Sequence, residues 1–285
     1  MSIAEMNAAL GRLYVDEHMR RLFAREPDSI LGAYRLSDAE AAAIVGIDRE
    51  RLELFADGLL RKKHGRMMKT YEATRALNPE RFDEYFRRFY GTRTSYPGQR
   101  PGEYTSEFGL YLEQSFTAEL DEFPPYALDL VRFERELTRA QATARGGGQY
   151  RSGAPDTDGK PVGGVAGADV DIDSAARPAT APGVVLCHFA FDVAALRASL
   201  REGGELPQAL PDEHYIAFHT TPDMSAPKTF RLNPKLGLLM RRCDGARTVA
   251  GIAEGLETDV DGEDRLAAVL GDVRRLVRLG LLAGA

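Results

Sequence analysis

Apolar residues in the first half of the chain recur every three or four positions. Ile3, Met6, Leu10 and Leu13 share one helical face, and Leu52, Phe55 and Leu59 do the same after Asp48. Broader stripes follow, at Phe82, Tyr85, Phe86 and Phe89, at Tyr104, Phe108, Tyr111 and Leu112, and at Leu130, Phe133 and Leu137. Ser37 with Glu40, and Asn78 before Pro79, are typical helix starts. The pattern predicts an all-α domain over residues 1–145.

The hydrophobic period changes after residue 183. Three runs rich in β-branched and aromatic residues predict strands: Val184 to Phe191 (VVLCHFAF), Tyr215 to Thr221 (YIAFHTT) and Lys228 to Leu232 (KTFRL). A helix from Asp192 to Glu202 is predicted between the first two strands. Three helices, opening at Asn233, Thr248 and Asp261, are predicted after the third strand. The chain is therefore expected to be α+β, with three strands plus three helices in a C-terminal domain over 184–285.

The stretch 146–183 shows neither the helical nor the strand spacing of apolar residues. It reads GGGQYRSGAPDTDGKPVGGVAGADVDIDSAARPATAPG and is dominated by Gly, Pro, Ala and Asp, with almost no residue to bury. A tract of this length without secondary structure is unusual inside a compact domain. The sequence thus predicts a flexible linker between two domains that move relative to one another.

Composition narrows the classes of function. No apolar run approaches the about 20 residues that a membrane-spanning helix needs, and no export signal is visible, so a cytoplasmic protein is expected. Cys187 and Cys243 are then expected to be reduced, small apolar side chains. The net charge of −6 argues against general affinity for nucleic acid, although a local basic patch remains compatible with it.

The residue types that carry catalysis are not grouped in the sequence. No two of the five histidines have the helical spacing of a metal site with a carboxylate between them. His214 and His219 are an odd number of positions apart on one predicted strand, and so face opposite sides. A phosphate-binding Gly loop and a nucleophilic Ser elbow are both missing. The aromatic stripes fit a cofactor pocket or core packing, and core packing is much the commoner use. We therefore expect no catalytic residue, no metal site and no cofactor.

The C-terminal residues carry a resemblance to a known domain. The run FRLNPKLGLLMRRCDGARTVAGIAEGL, followed by DRLAAVLGDVRRLVRLGLL, resembles the small winged-helix domain of the pyrroloquinoline-quinone peptide chaperone. That domain is reused as the recognition element of ribosomal-peptide biosynthesis. The match covers about the last 60 to 70 residues and implies a winged-helix, peptide-binding fold.

A second resemblance covers part of the predicted helical domain. The segments RFDEYFRRFY, PGEYTSEFGLYLEQSF and PPYALDLVRFERELTRA are similar to the helical domain of proteins that partner multinuclear non-heme iron oxidative enzymes, as in methanobactin-type systems. Those partners join such a domain to a recognition domain in the same order. The resemblance implies a non-catalytic subunit that holds the leader of a precursor peptide for the iron enzyme, with residues 1–145 as the docking domain.

The same resemblance implies where the leader binds. It adds as an extra strand beside the third strand of the small sheet, and its side chains enter the cleft against the last helix. Arginines near this cleft suit acidic leader residues, although they are equally the polar side of an amphipathic helix. The predicted peptide-binding residues are Lys228, Thr229, Phe230, Arg231, Leu232, Leu266, Leu270, Arg274, Arg275 and Arg278.

A winged helix also suits a DNA-binding transcriptional regulator. The basic run Arg61, Lys62, Lys63, Arg66 and Lys69 then contacts phosphates. The helix expected to read bases argues against this, because TVAGIAEGLETD is acidic and has no Arg, Lys, Asn or Gln to reach base edges. The basic run is alternatively a solvated helix face or a docking surface for an acidic partner.

Overall fold

The computed structural model describes residues 3–92, 101–145, 172–203, 207–221, 224–256 and 262–283. It is mixed α+β and mostly helical, with a small sheet, as the sequence predicts. The chain divides into two compact units, one formed by Met1–Thr138 with Ala194–Pro207, the other by Arg139–Val193 with Gln208–Ala285.

The first unit is built from helices. They are α1 (Ile3–Val15), α2 (Glu17–Phe23), α3 (Pro27–Leu31), α4 (Asp38–Val45), α5 (Arg49–Thr70), α6 (Glu72–Leu77), α7 (Pro79–Gly91), α8 (Pro101–Ala118), α9 (Ala127–Arg145, to Thr138 in this unit) and α10 (Val193–Glu202). A 3₁₀ turn, Leu120–Glu122, lies between α8 and α9. Helix α10, which the sequence places within the C-terminal domain, groups with these helices.

The predicted helix starts at Ser37 and Asn78 are confirmed. Ser37 and Glu40 form a reciprocal capping box at the start of α4. Asn78 accepts a hydrogen bond from the backbone N–H of Arg81, and Pro79 occupies the first position of α7.

The aromatic stripe of α7 is part of the buried core, with Phe82, Phe86 and Phe89 packed around Phe108 of α8. Burial of each such ring contributes about 1.5–3 kcal/mol.

One carboxylate, Glu134 of α9, is fully buried within this unit. Its Oε2 accepts hydrogen bonds from the Thr74 backbone N–H (3.1 Å) and hydroxyl (2.8 Å), and its Oε1 accepts one from the Ala73 N–H (3.1 Å). Arg197 of α10 lies 3.4 Å from Oε1. Burial raises the pKa of Glu134, and these donors and the Arg197 charge oppose that rise. The N-cap residue of α6, Tyr71, makes no side-chain capping hydrogen bond. Glu134, which lies on another helix, therefore acts as the cap of α6 by accepting hydrogen bonds from its first-turn N–H groups.

The second unit holds an antiparallel sheet in the order β2-β3-β4, with β2 at Val184–Phe191, β3 at Pro211–His219 and β4 at Lys228–Leu232. Helices α11 (Pro234–Arg242), α12 (Val249–Glu254) and α13 (Gly262–Arg278) follow β4. Asn233 and Thr248 cap α11 and α12 as predicted. Asp261, predicted to open α13, lies outside the described residues. The core joins one face of the sheet, at Tyr215, Ala217 and Leu232, to the inner faces of the three helices.

The prediction of a flexible linker up to residue 183 is wrong for 172–183, while 146–171 lies outside the described residues. Ile172 is 2% exposed and belongs to the core of the second unit. Residues Ala179–Thr180 form β1, which pairs antiparallel with β5 at Leu282–Ala283. The carbonyls of Ser174 and Ala176 accept the first backbone N–H groups of α12. This segment, residues 172–181, is thus an integral part of the unit, held largely through backbone hydrogen bonds.

The Ile172→Ala substitution is expected to destabilise the second unit by about 2–4 kcal/mol, because it leaves a cavity in a closed core. Urea unfolding of the full chain, followed by far-UV circular dichroism, measures the loss. The matched control is Ala175→Ser at an exposed position of the same segment, which should change stability by less than about 0.5 kcal/mol. Equal stability of the two variants would show that Ile172 does not anchor the segment.

Candidate functional site

The β4 strand lies at one edge of the three-stranded sheet. No further strand pairs with its outer side in the part of the chain that the structure describes. Lys228, Thr229 and Arg231 are exposed, Phe230 is half-buried and Leu232 is buried. An accessible edge strand presents unpaired N–H and C=O groups to which an extended peptide can bind.

The hydrogen-bond pattern shows which β4 groups face outward. The Thr220 N–H donates to the Gly183 carbonyl, so even-numbered residues of β3 bond to β2. The odd-numbered residues of β3 therefore bond to their β4 partners, which are Lys228, Phe230 and Leu232. It follows that the backbone N–H and C=O groups of Thr229 and Arg231 point to the open edge.

The predicted apolar lining belongs to the core side of the unit. Phe230 of β4 and Leu266 and Leu270 of α13 are partly buried and pack against the same core, into which Leu232 is fully inserted. Their outer surfaces remain partly accessible to solvent. The side chains of an added strand that point to this face would meet apolar surface beside β4.

Arg231 lies on the opposite face of the sheet, because adjacent residues of a strand point to opposite sides. Its guanidinium pairs with Asp192 and Asp212, and these hydrogen bonds raise its pKa. The side chain thereby ties β4 to the end of β2 and the start of β3. The structure does not bring Arg231 together with the apolar face of Phe230, Leu266 and Leu270.

The three α13 arginines of the predicted set occupy different environments. Arg274 donates to the Ile172 carbonyl at 2.7 Å and so holds the segment 172–181 in place. Arg275 and Arg278 are exposed, and neither has an ion-pair partner among the described residues. Together with Lys228, which is also exposed and has no ion-pair partner in the described part of the chain, these two are the cations of the predicted set that remain available to an acidic ligand.

The reactive side chains of this unit are dispersed. His214 and His219 are five positions apart in regularly paired β3, so their side chains face opposite sides of the sheet. Cys243 is buried, and burial raises the pKa of its thiol to about 12, which makes it a poor nucleophile at neutral pH. Cys187 is half-buried. Within residues 3–92, 101–145, 172–203, 207–221, 224–256 and 262–283, no group of three or more His, Cys, Asp or Glu side chains could hold a metal ion.

The basic run of the first unit lies on α5. Arg61 and Lys62 are exposed, Arg66 is half-buried and Lys69 is exposed. Lys63 instead lies over the Tyr104 ring, 4.2 Å from its centroid, and the neighbouring His64 pairs with Asp83 at 2.8 Å. Two large apolar side chains, Leu54 and Phe55, are exposed one to two turns earlier on the same helix.

Sequence reasoning missed two features of this region. Asp192 and Asp212, which bind Arg231, carry no motif, and only the register of the sheet brings them together. The segment 172–181 has the composition of a linker. It is nevertheless held in the unit largely by backbone hydrogen bonds, which composition does not reveal.

No protein-family model matches the chain, and no curated protein is significantly similar to it. None of the helices in the described ranges is at once long enough and apolar enough to cross a membrane.

Proposed function

We propose that the chain is a non-catalytic subunit that binds the leader of a ribosomally made precursor peptide and presents it to an iron-dependent oxidative enzyme in the cytoplasm. The second unit, as a winged-helix-type recognition domain, binds the leader, and the first unit docks the enzyme. The observation that carries this proposal is the open edge of β4, where the backbone groups of Thr229 and Arg231 face outward and the half-buried Phe230 lies between them.

The edge of β4 suits a peptide better than the other edge of the sheet. Strand β2 is the second edge, and its register shifts between Phe189 and Phe191. Such irregularities twist a strand and hinder pairing with another chain. Strand β4 has regular pairing over its full length and is short. It therefore offers a regular template for one added strand.

Charge adds selectivity to the main-chain hydrogen bonds. Arg275 and Arg278 stand exposed on the helix that contributes Leu266 and Leu270 to the apolar face. A leader with acidic residues would gain from both cations, and most of this gain would be lost at high salt. Arg231 has a different role, since its ion pairs with Asp192 and Asp212 brace the strand that receives the peptide.

The surface of α5 is suited to docking the enzyme. Exposed Leu54 and Phe55 supply apolar area, and the basic residues that follow supply a positive potential for an acidic partner. The buried Glu134 network and the aromatic core give this helical unit a fixed shape. A rigid surface of this kind binds a partner without a large ordering cost.

Reconstitution with neighbouring gene products tests the function. The neighbouring genes are searched for an iron oxidase and a short open reading frame, and such a pair is co-expressed with the chain, with a scrambled peptide as control. We expect a complex of all three, and no stoichiometric metal in the chain purified alone. Arg61→Glu with Arg66→Glu should release the enzyme and leave peptide binding intact. One tightly bound iron or zinc per isolated chain, or equal binding of the scrambled peptide, would contradict the proposal.

A further inference from the structure

Helices α11 and α12 border an open concavity of ≈ 590 Å³ that belongs neither to the edge of β4 nor to the face of α13. Three arginines, one leucine and two glycines line it: Leu238, Arg241, Arg242, Arg247, Gly251 and Gly255. Leu238 is 47% exposed, so its apolar side chain is accessible from the concavity. The concavity thus combines cationic walls with an apolar rim.

The positive charge of this concavity is largely uncompensated. Arg241 and Arg242 have no ion-pair partner within the described ranges. Arg247 lies 3.7 Å from Asp244, with both side chains about half exposed to solvent. The Asp244 carboxylate is already occupied by the backbone N–H groups of Ala246 and Arg247, and these bonds lower its pKa. At least two guanidinium groups are therefore available to an anion.

The two glycines keep the concavity open. The backbone at Gly255 has φ −87°, which any residue adopts, so its conformation does not require glycine. A Cβ there would lie 2.6 Å from Nη1 of Arg242, so glycine leaves the space in which that guanidinium lies against α12. A Cβ at Gly251 would meet only the Thr248 hydroxyl, at 3.4 Å, and would otherwise project into free space.

We propose that this concavity binds carboxylate side chains of an acidic polypeptide segment, with Arg241, Arg242 and Arg247 as the cationic walls. The guanidinium group pairs with a carboxylate through two parallel hydrogen bonds, and a neighbouring apolar residue of the segment packs on Leu238. This binding site goes beyond the proposed function, because none of its lining residues belongs to β4 or α13 and it does not depend on strand addition.

Local charge favours a short acidic peptide over nucleic acid here. The whole chain carries a net charge of −6, which repels a long polyanion. A short acidic segment responds mainly to charges within the Debye length of about 8 Å, and the concavity is lined by three arginines and no acidic residue. Helix α12 also has only Val, Ala, Gly, Ile and Glu residues, none of which donates to a base edge from its side chain.

Fluorescence anisotropy with the full chain tests the proposal. The probe is a labelled peptide of alternating Glu and Leu, and its counterpart has Gln in place of each Glu. We expect the Glu peptide to bind, the Gln peptide to bind at least about tenfold more weakly, and Arg241→Glu with Arg242→Glu to cause a similar loss. The charge-matched control is Arg25→Glu with Arg49→Glu, at two exposed positions of the helical unit outside the proposed docking surface, which should leave binding unchanged.

A steric variant separates a folding defect from loss of the site. Gly251→Leu fills the concavity from an exposed helical position, so it should retain the circular dichroism spectrum and weaken binding about tenfold. Unchanged binding in both the Gly251→Leu and the arginine variants would overturn the proposal. If Thr229→Pro alone abolishes binding, the peptide uses only the β4 edge, which supports the proposed function and refutes this second site. Stronger, Arg241-dependent binding of a short DNA duplex would refute the assignment to carboxylates.

Discussion

Replacement of Glu134 by Gln is expected to lower the free energy of unfolding of the helical unit by about 2–4 kcal/mol. Both carboxylate oxygens accept hydrogen bonds, from Ala73 on one side and Thr74 on the other. An amide can accept on one side only, and its NH₂ group then faces a backbone N–H. One donor in the first turn of α6 is thus left buried without an acceptor. Urea unfolding followed by far-UV circular dichroism measures the change.

Thr74→Val is the matched control for this experiment. It removes the hydroxyl that donates to Glu134 and keeps both backbone N–H groups satisfied. The expected loss is about 1–2 kcal/mol, less than that of Glu134→Gln. The cap assignment predicts this order of stabilities, and the reverse order would show that the hydroxyl, not the backbone cap, is the main contribution of the network.

Thr229→Pro is expected to weaken leader binding at least about tenfold while the fold is retained. The Thr229 N–H points to the open edge, so proline removes a donor that the peptide needs and breaks no bond within the sheet. Fluorescence anisotropy with the leader of the co-encoded peptide measures the affinity. Arg231→Pro should have the same effect on the edge, but it also removes the ion pairs with Asp192 and Asp212.

Two matched variants make this result interpretable. Thr229→Val keeps the backbone donor and the β-branched shape, so it should bind the leader like the unmodified chain. Phe230→Pro removes a hydrogen bond to β3 and should disrupt the sheet itself. Full affinity in a folded Thr229→Pro variant would show that the leader does not pair with β4.

The strands with a strong local pattern could be predicted from sequence. The predicted bounds of β2 and β4 match the structure, because both runs are β-branched or aromatic and end at turn residues. The predicted bounds of β3 are less accurate, since Pro211 to His214 gives no local strand signal and joins the strand only by pairing with β2. The winged-helix arrangement and the leader-binding site stay predictions.

The composition of the predicted linker is misleading at its C-terminal end. Ser174, Ala176 and Pro178 contribute backbone carbonyls to α12 and to the loop before it, and backbone acceptors are the same in every residue. The sequence signal in this tract is Ile172, the only Ile or Leu among residues 146–183, and its side chain is buried. The alternation of strand faces, by contrast, is a local rule, and it is sufficient to place Arg231 and Phe230 on opposite sides of the sheet.

The closure of the second unit by the segment 172–181 has a consequence for how the protein folds. The Arg274 side chain and the Ile172 carbonyl that it binds are 102 residues apart in sequence. Strand β1, at Ala179–Thr180, likewise pairs with β5, at Leu282–Ala283. Contacts of such long sequence separation form late, because a long loop must close before they contribute. During synthesis, Ile172 leaves the ribosome well before Leu282, so chaperones have an interval in which to bind the incomplete core.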